Sequence, residues 1–235
     1  MTSLHEDRLG EIITATRHLF LDFDGPICSI FAGLKAQTIA DKLRDLIISH
    51  GITLPADIEA TSDPFDVFIH AASVNPDLGA EVEVAMTGLE VEAVPTAEPT
   101  PGVHAVITSC RDSGRTLTVV SNNSDRAVRA YLTRHALDGQ ISTVIARTSP
   151  DPDLLKPCPH FLQQAITASK AEPHTCTLVG DQLTDIDAAR QAGTHSIGYA
   201  NKPGKAEALA DAHAGAIITS LAPLTLALRA RPLPN

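Results

Sequence analysis

The sequence predicts an α/β chain whose parallel sheet is covered by helices on both faces and interrupted by a small helical insertion. Four apolar, β-branched runs each end in a small or charged polar cluster, and segments with helical spacing of apolar residues separate the later three. Strand and helix thus alternate, which right-handed βαβ units produce. A long helical stretch after the first run breaks the alternation and marks the insertion.

The first run, "HLFLDFDGPI" at 18–27, reads as a strand that turns sharply at a Gly-Pro pair. Helical spacing follows, with "FAGLKAQTIADKLRDLIISHG" at 31–51 a helix expected to stop at its glycine. The next strand arrives only near Thr116, too far for an ordinary βα connection. Residues 28–98 are therefore expected to form a helical cap domain, with 1–27 and 99–235 forming the α/β core. "PTAEPTPG" at 95–102 is the return linker, and with 27–30 it would make a two-strand hinge. Later strands are expected in "TLTVVSNNSD" (116–125), "QISTVIARTS" (140–149), "CTLVGDQLTDID" (176–187) and the short "HSIGYA". Helices are expected in "DRAVRAYLTRHAL", "PHFLQQAITASK" and "DIDAARQAG", and the proline-containing tail "RARPLPN" is expected to fray.

Bulk properties narrow the function. The formal charge of −10 is carried by one segment, because residues 51–103 contain ten Asp or Glu and no Lys or Arg. Such a chain suits neither general nucleic-acid binding nor a membrane span, the latter needing roughly 18 uninterrupted apolar residues. The N-terminus lacks a basic start and apolar centre, so a cytoplasmic address is expected. Cys28, Cys110, Cys158 and Cys176 form no CxxC pair and read as reduced thiols. The histidines show no metal-ligand spacing, and Lys35 reads as a solvated helix residue.

Asp22 and Asp24 end the first strand two positions apart. Carboxylates this close repel unless a cation lies between them or one holds a proton. Mg²⁺, which takes oxygen ligands and keeps several waters, resolves the conflict. Asp181 and Asp185 offer a further source, although either alone suits a strand end or a helix N-cap equally well.

In order, "LDFDG", "VVSNN", the lysine of "LLKPCP" and "LVGDQLTDID" make the chain resemble the haloacid dehalogenase superfamily over about 18–200. Within it, the members similar to phosphoglycolate phosphatase, with a helical cap after the first motif, are nearest in pattern. The resemblance implies a Rossmann-like core and an Mg²⁺-dependent phosphatase acting on a small phosphorylated metabolite. Asp22 would be the nucleophile and form an aspartyl-phosphate; Asp24 would be the general acid and base. Mg²⁺ would be held by the side chains of Asp22 and Asp181 and the carbonyl of Asp24, supported by Asp185. Ser121 and Lys156 would hold the phosphoryl oxygens, Asn122 would add a contact, and Gly25 would let backbone amides face the phosphate. Pro26 stands where the family usually has threonine, which removes a hydroxyl and a backbone donor.

Asp24 favours phosphate esters, since the superfamily's dehalogenases lack the second aspartate. A phosphomutase of the β-phosphoglucomutase type shares all four motifs and is the enzyme alternative. A non-catalytic binding protein would be expected to have lost Asp22, Asp24 or Lys156. The acidic segment implies a leaving group that is neutral, singly charged or cationic, unless the acids are merely solvated. A monomer or homodimer is expected.

Overall fold

The computed structural model of the chain describes residues 2–233. Helix α1 (Thr2–Ala15) leads into β1 (His18–Leu21), and a two-residue strand β2 (Cys28–Ser29) follows the turn. Helices α2 (Ala36–Ser49), α3 (Ala56–Ala60), α4 (Pro64–Val74) and α5 (Pro76–Ala93) come next, and β3 (Glu98–Pro99) returns antiparallel to β2. The chain then alternates α6 (Val103–Asp112), β4 (Thr116–Ser124), α7 (Asp125–Arg134), β5 (Thr143–Arg147), α8 (His160–Ala168) and β6 (Cys176–Gly180). It ends with α9 (Leu183–Ala192), β7 (His195–Tyr199), α10 (Lys205–Asp211), β8 (Ala216–Ile218) and α11 (Ala222–Ala230).

The main sheet is parallel throughout, in the order β5-β4-β1-β6-β7-β8. Because β1 lies between β4 and β6, the winding direction reverses beside it. The carboxyl ends of these three strands frame the crevice where such sheets bind ligands. Alternate residues feed opposite faces: Leu19, Leu21, Leu117, Val119 and Val179 pack with α1, α6, α7 and α11, whereas Phe20, Val120 and Leu178 pack with α8 and α9. Burial on both faces is why the strands read as unbroken apolar runs. Ile39, Leu43, Val67, Phe68 and Met86 of α2, α4 and α5 join the second of these clusters. No described helix is long and apolar enough to cross a membrane.

Helix α2 begins five residues later than its apolar spacing suggests. Residues 31–35 turn instead, and a Cβ on Gly33 would lie 2.2 Å from the Thr96 hydroxyl, so this glycine permits the close pass of the returning chain. Gly51, with φ of +75°, ends the helix as its position implies. Sequence periodicity did not expose α1, whose Leu9, Ile12 and Ile13 are buried, nor the three-residue β8. Residues 229–233 of the tail are more ordered than expected, since Arg229 and Ala230 close α11 and the Leu233 amide donates to Ser113 O at 2.9 Å, while 234–235 lie outside the described residues.

Arg115, 5% exposed, turns back to cap α1, its Nε donating to Thr16 O at 2.9 Å and its Nη2 to Ile13 O at 2.8 Å. A guanidinium there also meets the negative end of the helix dipole. Arg115→Ala is expected to lower stability by about 2–3 kcal/mol, seen as a lower urea midpoint with an unchanged slope. A loss below about 0.5 kcal/mol would mean that water replaces the cap freely.

Candidate active site

Asp22 extends β1 by one residue, its amide donating to Val179 O of β6 at 2.9 Å. The chain then closes a tight turn in which the Ile27 and Cys28 amides both donate to Phe23 O. Gly25 occupies φ of +109°, and a Cβ there would lie 2.6 Å from the Asp181 carboxyl carbon, so only glycine fits. Its own N–H does not face the site as expected, because it donates to Cys28 O at 2.7 Å. Its carbonyl accepts from Thr100 Oγ1 at 2.5 Å, which ties the turn to the return linker.

Lys156, buried, stands between two carboxylates and donates to Asp22 Oδ1 at 2.8 Å and to Asp185 Oδ1 at 2.5 Å. It also donates to Val120 O at 3.3 Å, so all three ammonium protons have acceptors. Burial works against this charge, yet Asp185 and Asp22 outweigh it and hold the lysine firmly protonated. Burial raises the Asp22 carboxyl strongly, and Asp185 and Asp181 add to the rise against the pull of Lys156. Asp24 is pushed up to about 6, chiefly by burial, while the Ile30 amide donates to its Oδ1 at 3.1 Å and steadies the ionised form.

Asp181 follows β6, and burial raises its carboxyl against the pull of Lys205 and Asn201. Lys205 pairs with Oδ2 and donates to the Asp181 carbonyl at 2.9 Å, and Asn201 Nδ2 donates to Oδ2 at 3.1 Å. Oδ1 is buried and has no hydrogen-bond partner. Asp185 serves as N3 of α9: its Oδ2 accepts from the Gln182 amide at 3.0 Å, which closes a capping box and aims Oδ1 at Lys156.

Carboxylate oxygens of Asp22, Asp181 and Asp185 lie within 4.8 Å of one another. An all-oxygen donor set with one orphaned carboxylate oxygen fits a hard divalent cation such as Mg²⁺. Asp22 and Asp181 would hold it, with the Asp24 carbonyl that the family resemblance implies. Asp185 is already committed to Lys156 and Gln182.

Ser121 is fully buried in β4 where its regular pairing with β5 breaks after Val120, donating to Asn123 Oδ1 at 3.2 Å and accepting from the Asn123 amide at 3.1 Å. Asn122 turns its side chain to the backbone of Lys156. Its Oδ1 accepts from the Lys156 amide at 2.9 Å and its Nδ2 donates to Lys156 O at 3.3 Å, so it places the lysine. Cys28 is buried and its thiol is pushed far up by burial, with Asp24 and Asp22 adding to the effect, which leaves it inert.

Sequence reasoning missed Asn201 and Lys205, which hold Asp181, and Thr100, which ties down the Gly25 turn. "ANKPGK" follows a strand at the same sheet end, and that position was the available signal.

Residues 66–199 match the family model for haloacid dehalogenase-like hydrolase. A phosphoglycolate phosphatase of Synechococcus elongatus is 31% identical over 106 residues, 45% of this chain and 48% of the relative, so the chain spans about half the length of that curated relative. Among solved structures, a predicted phosphatase from Clostridium acetobutylicum superposes with a TM-score of 0.69 at 16% identity, over 90% of this chain and 97% of its own. A predicted phosphoglycolate phosphatase from Haemophilus somnus gives 0.63 at 19% identity, over 89% and 96%. These likenesses carry the fold, and with the family match spanning more than half of the sequence the chain belongs to the haloacid dehalogenase-like hydrolases.

Proposed function

We propose that the chain is an Mg²⁺-dependent phosphatase that hydrolyses a small phosphomonoester through an aspartyl-phosphate on Asp22. One observation carries this reading: a buried ammonium bridges Asp22 and Asp185 while a neighbouring carboxylate oxygen, Asp181 Oδ1, is left unpartnered. The bound cation would neutralise charge on the phosphoryl oxygens and on the carboxylates that face them.

A carboxylate oxygen of Asp22 attacks phosphorus as the bond to the ester oxygen breaks, and Asp24 gives that oxygen its proton. Asp24 then takes a proton from water, which attacks the phosphorus of the acyl phosphate and releases phosphate and free Asp22. A carboxyl held near 6 carries a useful share of both protonation states close to neutrality. Lys156 and the Ser121 hydroxyl would hold the transferring oxygens by exchanging a present acceptor, Val120 O for the one and Asn123 Oδ1 for the other, and residues 28–98 act as the cap that shields the intermediate from stray water.

The acidic segment favours a leaving group that is neutral, singly charged or cationic. Glycolate, the leaving group of 2-phosphoglycolate, meets that condition, and the name of the Synechococcus relative gives a second reason to test it. Phosphate release across a panel of small phosphomonoesters, with Mg²⁺ and after chelation, is the deciding experiment. Turnover that falls at least about 100-fold on chelation is expected. No release from any ester by the folded protein in Mg²⁺ would overturn the reading.

A further inference from the structure

The segment that contains no Lys or Arg takes a cation from the sheet. Arg147, the last residue of β5, is 1% exposed and lies between Glu83 and Glu90 of α5, donating to Glu83 Oε1 at 2.7 Å and to Glu90 Oε2 at 2.8 Å. Its Nε donates to Asn122 O at 3.0 Å, and its planar group sits 5.9 and 5.7 Å from the rings of Phe65 and Phe68 on α4. Glu90, fully buried, also accepts from the Ser124 amide at 2.8 Å and from Asn123 Nδ2 at 3.1 Å.

Three fully or nearly desolvated charges are poor devices for stability, since apolar residues of similar volume serve as well or better. Their better-attested use is to fix one arrangement out of several. Here the arrangement fixed is segment 121–124: Asn122 is held by Arg147, Asn123 and Ser124 by Glu90, and Ser121 by Asn123. Since Glu90 claims the Asn123 amide nitrogen, it selects the amide oxygen to face the Ser121 hydroxyl. Asn122 in turn brackets the Lys156 backbone.

We propose that Arg147 and Glu90 are positioning residues that hold the phosphate-binding segment 121–124 in register with helix α5, so that the placement of α5 governs the affinity for phosphate. This rests on the phosphatase reading above.

The test compares wild type, Glu90→Gln, Arg147→Met and the double variant for inorganic phosphate affinity by calorimetry in Mg²⁺, for kcat and KM, and for thermal midpoint. Arg115→Ala, which loosens α1 without touching 121–124, is the control for lost stability alone. Phosphate affinity is expected to fall about tenfold or more in each single variant, with KM rising. The double variant is expected to be little worse than either, as for groups that act together. Glu90→Gln within twofold of wild type, or Arg115→Ala weakening phosphate equally, would overturn the role and leave the triad as a fastening of α5. If Arg147→Met does not fold, Glu90→Gln decides. A folded wild type that neither binds phosphate nor turns over would overturn the phosphatase reading and this role together. Binding by wild type with an unaffected Glu90→Gln overturns this role alone.

Discussion

Asp22→Asn is expected to abolish phosphate release, by about 10⁴-fold or more, while leaving the chain at least as stable as wild type in the absence of divalent cations. Both halves come from the same geometry. Asp22 is buried with the carboxylates of Asp181 and Asp185 close by, and Lys156 is shared between Asp22 and Asp185. An amide of the same shape cannot serve as nucleophile, yet it removes one of three mutually repelling charges and leaves Lys156 paired with Asp185. Function and stability are thus opposed at this position, as is common at reactive sites. Phosphate release and thermal melting in chelator are the two measurements. Turnover above about 1% of wild type would place the nucleophile elsewhere, and a clear fall in melting temperature would mean that Asp22 is a net support of the fold.

Lys156→Met is expected to remove activity as well, but with a stability loss of about 3–5 kcal/mol. Here the ammonium that bridges Asp22 and Asp185 disappears, and two buried carboxylates face each other with no donor between them. The capping box of α9 is disturbed at the same time, because Asp185 links Lys156 to the Gln182 amide. Denaturant titration in chelator measures the loss. Adding Asp22→Asn to Lys156→Met should recover part of it, a coupling that two independent defects would not show. A loss under about 1 kcal/mol, or strict additivity, would mean that water solvates the pair once the lysine is gone.

Much of this site could be read in the sequence because the fold concentrates it. Asp22, Ser121 and Asp181 each follow an apolar run, and a doubly wound sheet brings the ends of such runs to one crevice. Lys156 and Asp185 were legible through their place in the ordered motifs. What the motifs did not reveal is how side chains divide their hydrogen bonds. Asn122 supports Lys156, and the Gly25 amide is spent inside its own turn; both depend on local loop geometry that residue type does not encode. Arg147 and its partners were missed for a different reason. They lie 64 and 57 residues apart in the chain, and an arginine at a strand end looks like any solvated charge. The available clue was the charge imbalance itself, since ten acids without a cation include two that find one in the sheet. Helix α1 and strand β8 escaped because the burial of one and the pairing of the other depend on residues distant in sequence.

The central place of β1 bears on the order of events during synthesis. Asp22 precedes in the chain both neighbours of its strand, which pairs with residues 116–119 on one side and 176–179 on the other. Until residues 176–179 have been made, β1 lacks its second neighbour and part of its apolar surface has no wall to pack against. Such long-range pairing makes folding slow and leaves hydrophobic surface open in the meantime. The crevice therefore closes only once β6 has been made, and Asp22 stays in water until Lys156 can donate to it.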